Sequence, residues 1–88
     1  MPDEVRLREQ ARAAIKTGRL PSRKQDGSWG GPGTGMECVV CGKPVTKDEP
    51  EFELEFAHDG TSPGVDVFHL HVRCFAAWEF ERTKPPQS

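Results

Sequence analysis

The apolar positions of the chain change period from segment to segment, and each period names an element. Leu7, Ala11, Ala14 and Ile15 recur at helical spacing, a narrow stripe of mostly small side chains. Asp3 suits an N-cap, Glu4 the first turn and Lys16 the last, while Gly18 occupies the C-cap position with Pro21 just beyond. The pattern predicts a helix over residues 3–17 that lays Leu7, Ala11 and Ile15 on the rest of the domain. Residues 21–37, PSRKQDGSWGGPGTGME, carry five glycines and two prolines and keep no period, which predicts an irregular loop. Trp29 is the one residue there worth burying, and it is expected to fold back as a lid. In residues 51–57, Phe52, Leu54 and Phe56 alternate with Glu51, Glu53 and Glu55, the period of a half-buried strand. Turn residues follow at 58–64 and a second strand at 65–70, so the pair reads as a hairpin. From His71 onward, HVRCFAAWEFER reads as a final helix with Cys74, Phe75, Trp78 and Arg82 on one side, ended by Pro85-Pro86. The predicted core is Phe52, Leu54, Phe56, Val65, Val67, Phe75 and Trp78. Phe68 and Leu70 then fall on the opposite strand face, under the first helix.

Composition makes that core too small to stand alone. Of 88 residues, 34% are hydrophobic and 30% charged. A chain of this length buries only about 60–65% of its unfolded surface and calls for a staple. Its size excludes a large enzyme with a deep pocket of its own, and no apolar run approaches the roughly 20 residues of a membrane span. The N-terminal MPDEVRLREQ has no apolar signal region, so a cytoplasmic location is expected. Three cysteines, an odd number, argue against a disulfide framework and for metal ligation.

The placement of those cysteines names the ligands. Cys38-Val39-Val40-Cys41-Gly42 is a Cys-x2-Cys-Gly knuckle, in which two thiolates can share one ion and the glycine permits a left-handed turn. Further on, His71-Val72-Arg73-Cys74 gives His-x2-Cys, two donors on one face of a first helical turn. Cys38, Cys41, His71 and Cys74 together suit one structural Zn2+ per chain, held tetrahedrally. Buried free cysteines are the ordinary alternative, but all three fall into the metal pattern. A thioredoxin-like redox pair would need a βαβ pattern, and the glycine-rich stretch lacks the Gly-Lys-Ser/Thr of a phosphate loop. His69 and His71 fall on the same strand face, so either could reach the ion; the single-turn spacing favours His71. His69 then becomes a half-buried strand residue or a support for the ligands, and His58 a solvated turn residue.

Knuckle CVVCG, then hairpin, then a helix opening on HVRC: this order resembles a treble-clef zinc finger. The ligand set is similar to the first zinc module of LIM domains, and the resemblance spans residues 38–82. It implies knuckle ligands Cys38 and Cys41 and helix ligands His71 and Cys74. The fold class it implies is a small α+β zinc-stabilised domain of N-terminal helix, zinc knuckle, β-hairpin and C-terminal helix. The whole chain resembles a small bacterial-type zinc protein. The expected division is an N-terminal basic helix at 1–20, a Gly/Pro-rich loop at 21–37, the zinc-binding domain at 38–83 and a disordered tail at 84–88.

Charge then separates the function classes. Residues 1–25 hold seven basic and three acidic side chains, a net +4, whereas residues 26–88 hold five basic and eleven acidic, a net −6. Arg8, Arg12, Lys16 and Arg19 are spaced to line one helix face, a candidate contact for nucleic acid or for a partner. Glu51, Glu53 and Glu55 are the expected internal mates of those cations, and they disfavour phosphate nearby. An enzyme is not expected, because four ligands close a zinc site and the chain has no asparagine to build a His-Asn-His nuclease. The reading is a structural zinc module that mediates a macromolecular interaction, with a protein partner, as a monomer away from membranes. Nucleic-acid binding through the basic helix is the alternative.

Overall fold

In the computed structural model, which describes residues 2–58 and 64–84 and side chains from Glu4 on, the small-residue stripe of the N-terminus becomes α1, Pro2–Lys16. Ala11 and Ala14 are wholly buried, with Leu7 and Ile15 packed beside them. Such small side chains let the helix approach closely, and α1 packs on α2, Val72–Thr83. Gly18, at φ +80°, reverses the chain so that the Leu20 N–H donates to Ala14 O at 3.1 Å and Leu20 is buried. Arg19 therefore lies past the helix, its Nε donating to Thr17 Oγ1, and does not continue the basic face.

Strands β1 (Gly27–Pro32), β2 (Pro50–Ala57) and β3 (Val65–His71) form an antiparallel sheet in the order β1-β2-β3. With the two helices this makes a small α+β domain. β1 overturns the expectation of an irregular loop over 21–37. Strand pairing needs backbone groups rather than a side-chain period, and Gly-Ser-Trp-Gly-Gly-Pro supplies them at a sheet edge, where proline is tolerated. Asp26 sets the register: its N–H donates to Glu55 O at 2.8 Å and its carboxylate accepts the Ala57 N–H at 2.7 Å. The expected turn lies in part at residues 59–63, and most of the expected tail at 85–88, outside the described residues.

The sheet's share of the core differs from the predicted one in a systematic way, and Leu20, Val40 and Val45 join it from outside the sheet. Phe52 pairs across the sheet with Leu70, and Leu54 with Phe68, so these four share one face. Val65 and Val67 pair with Ala57 and Glu55 on the other face and remain 47% and 42% exposed. α2 covers the first face: Phe75 meets Phe52 at a ring separation of 4.5 Å, and Trp78 stands edge-on to Phe56 at 6.1 Å. Leu70 and Phe68 thus lie under α2, and α1 sits behind that helix rather than on the sheet. Trp29, pointing the other way, is 54% exposed and lids nothing.

Between β1 and β2 the chain doubles back on itself. Gly33 N–H donates to Glu49 O at 2.9 Å and Gly35 N–H to Val45 O at 2.8 Å, while Val45 is wholly buried. A Cβ on Gly33 would stand 2.0 Å from the Thr46 carbonyl oxygen and 2.6 Å from that of Val45. Both are backbone atoms and cannot swing aside. Gly33→Ala is therefore expected to cost at least the upper part of the ~1–3 kcal/mol usual for overpacking, lowering the melting temperature by roughly 10 °C or more. Thermal denaturation of the purified variant checks this.

Candidate metal centre

The knuckle is a tight backbone turn anchored at both ends. Cys38 N–H donates to Lys43 O and Gly42 N–H to Cys38 O, each at 2.9 Å, with Gly42 at φ +79°. Val40 and Val45 bury their side chains in the core, and Val39 N–H donates to His69 O at 3.0 Å, fixing the knuckle to the edge of β3. The second pair of donors comes from the β3–α2 junction. His71 is the last residue of β3 and the N-cap of α2, and Cys74 sits one turn in, at a helix N-terminus that favours a thiolate.

These two pieces converge. One donor atom from each of Cys38, Cys41, His71 and Cys74 lies within 4.8 Å of all the others. His71 Nδ1 is 3.4 Å from Cys41 Sγ and 3.9 Å from Cys74 Sγ. Tetrahedral ligands at about 2.3 Å for sulfur and 2.0–2.1 Å for nitrogen stand about 3.6 Å apart along such an edge. The set thus fits a metal ion in both chemistry and spacing. Electrostatics points the same way. The Cys74 thiol, then backbone N–H groups, favour the thiolate of Cys38 and pull its pKa down. Conversely, the hydrogen bond to Cys38 and burial push Cys74 up, and burial raises Cys41. Three clustered thiols, two of them buried, cannot all ionise beside one another, and a dication is the charge that lets them.

The structure also brings in a residue that motif reading missed. His71 Nε2 lies 3.4 Å from Glu49 Oε1, so the outer ring nitrogen faces a carboxylate while Nδ1 faces the sulfurs. Glu49 is itself held by the Thr46 N–H and hydroxyl, both at 3.1 Å, which with His71 keep its carboxyl below the usual range. The signal was in the sequence: Thr46-x2-Glu49 has capping-box spacing, here closing a turn rather than a helix. Glu49→Ala is expected to weaken metal affinity about 10–100-fold while the fold is retained, read by competition with a chromophoric chelator.

The remaining candidates are placed as follows. His69 turns to Glu51, with Nδ1 3.2 Å from Oε2, and does not join the cysteines. His58 lies 2.9 Å from Asp66. Arg12 pairs with Glu81 of α2 at 3.0 Å and Arg8 lies over the Phe80 ring at 4.1 Å, so α2, not the Glu51–Glu55 row, supplies the mates of the basic helix. Lys16 makes no ion pair among the described residues. A cleft between α1 and the knuckle, rimmed by Arg6, Lys43 and Arg73, reaches Cys41 and His71. No described helix is long and apolar enough to cross a membrane. Comparison of the chain with protein families, with curated proteins and with solved structures returned no match.

Proposed function

We propose that the protein is a treble-clef zinc module whose ion is structural and whose role is to present a surface to a protein partner, as a cytoplasmic monomer. The observation that carries this reading is the convergence of Cys38 and Cys41 with His71 and Cys74. Four protein donors leave no coordination position open, which supports a scaffold rather than a hydrolase. A cytoplasmic location suits three cysteines kept as thiols. A protein partner is favoured because Arg8 and Arg12 are engaged within the fold and the sheet face bearing Glu53 and Glu55 repels phosphate.

Nucleic acid is the second reading, favoured by one observation: Arg6, Lys43 and Arg73 rim the cleft beside the metal centre with no ion pair among the described residues. Fluorescence anisotropy with labelled duplex DNA and structured RNA at physiological salt tests the choice. The expected result is no saturable micromolar binding. Binding that falls with salt at a log–log slope of about −0.9 per phosphate on duplex DNA, and that Arg6→Glu with Arg73→Glu abolishes, would replace the protein partner with nucleic acid. Zinc content at one equivalent per chain, lost in Cys38→Ser, is the matching test of the centre itself.

A further inference from the structure

We propose that the face of the sheet opposite α2 carries a second divalent-metal site, formed by Glu51, Glu53 and His69. Glu51 and Glu53 are two apart on β2 and project to one face, and His69 is the cross-strand partner of Glu53. Register alone therefore sets an imidazole beside two carboxylates. One donor atom from each lies within 4.8 Å of the other two.

One of the two spacings is that of ligands around a shared ion, and the other is close to it. His69 Nδ1 stands 3.2 Å from Glu51 Oε2 and 3.8 Å from Glu53 Oε1. The first is also at the long end of a hydrogen bond. Ligands bonded at 2.0–2.2 Å to one ion stand about 3.0–3.6 Å apart. The first separation falls in that interval, and Glu53, at 38% side-chain exposure, has room to close the second.

Glu51 is pre-set for the role. It is 5% exposed, and its Oε1 accepts the Thr34 hydroxyl at 3.0 Å and the Thr34 N–H at 3.4 Å, which leaves Oε2 for the site. Two carboxylates against one imidazole leave a negative surplus that a dication balances. One nitrogen and two oxygens with no sulfur suit a first-row divalent ion such as manganese, or zinc, which takes oxygen and nitrogen as well as sulfur, and disfavour copper(I). Three protein donors leave coordination positions for water or a small anionic ligand. Bound there, the ion joins β2 to β3 and, through Thr34, to the segment after β1.

The test uses protein already carrying one zinc in the cysteine centre. Manganese(II), which competes poorly for thiolates, is titrated in and the free ion followed by electron paramagnetic resonance; a second equivalent of zinc is titrated by calorimetry. The expected result is one further saturable equivalent with the first zinc retained. Glu53→Gln and His69→Asn, both in side chains outside the buried core, are each expected to weaken it by at least about tenfold without releasing the first zinc. No second saturable equivalent of either ion would overturn the proposal and leave His69 and Glu51 a plain ion pair. Second-site binding unchanged in both variants would overturn it equally. Loss of the first zinc would instead count against the cysteine centre, so the two readings fail separately.

Discussion

Removing the metal with a chelator is expected to abolish the cooperative thermal transition and the near-ultraviolet dichroism of the protein. Cys38 and Cys74 are buried inside the core, where the knuckle meets α2, so an ion held there would tie together the two parts of the chain that close the hydrophobic cluster. Structural zinc contributes about 10–16 kcal/mol of apparent binding free energy near neutral pH. At roughly 0.05–0.15 kcal/mol per residue, 88 residues hold about 4–13 kcal/mol in total. The metal term matches or exceeds the whole. Without it, the domain keeps a thin core and three thiols crowded against one another. Cys74→Ser should behave like the chelated protein, because a hydroxyl is a poor zinc ligand and the buried site cannot relax around it. His71→Gln should lose the metal, whereas His69→Gln should keep one equivalent in the cysteine centre. An apo protein that melts at the temperature of the loaded one, or a Cys74→Ser variant retaining a full equivalent, would overturn the assignment.

The candidate donor group could be read from the sequence because each pair is a local object. Cys-x2-Cys closes one backbone turn and His-x2-Cys one helical turn, so the spacing already implies the geometry. What the spacing could not carry was the register between strands. Residues 65–71 are apolar on both faces, Val65 and Val67 on one and Phe68 and Leu70 on the other. Which set meets Phe52, Leu54 and Phe56 depends on the turn between the strands, not on alternation. The observed pairing of Phe52 with Leu70 buries the larger set, which is the better use of apolar area. It also puts His69 and His71 on the face of Glu51 and Glu53, which explains how one strand faces the core, ends in a candidate metal donor and lines a carboxylate row.

β1 was illegible for a different reason. A strand held by backbone hydrogen bonds at a sheet edge need show no side-chain period, and residues 27–32 show none. Its position is set by Asp26, one carboxylate outside the strand, which no periodicity analysis weighs. The partners of the basic helix were misplaced because net charge locates no side chain. Glu81 lies sixty-nine residues from Arg12 in sequence yet 3.0 Å away in space, since the two helices pack on each other. Arg12 thereby serves the docking of α1, and its charge is not free for a ligand.

Replacing Trp78 should have the largest effect of any single change away from the metal. The side chain is wholly buried, edge-on to Phe56 and tilted against Phe75 at a ring separation of 5.8 Å, with Arg82 over it at 5.2 Å. Its Nε1–H donates to Pro21 O at 2.9 Å, which pins the segment after α1 to the middle of α2. Trp78→Ala removes the ring, opens a cavity between sheet and helix and leaves a carbonyl without its donor. Large-to-small changes of this kind cost about 3–5 kcal/mol, and the lost hydrogen bond adds about 1 kcal/mol. Against the total above, the metal-loaded variant should lose at least about a third of its stability, with its urea midpoint falling in proportion. Trp78→Phe keeps most of the ring packing and forfeits the hydrogen bond, so it should lie between the two. Trp29, the other tryptophan, stands exposed over Gly27, and Trp29→Ala should change stability by no more than about 0.5 kcal/mol. Urea denaturation of the metal-loaded variants, followed by far-ultraviolet dichroism, orders the three. If Trp29→Ala proved the more damaging, the β1–β2 register that sets Trp29 opposite Glu53 would be wrong, because a one-residue shift of that pairing is what turns Trp29 inward.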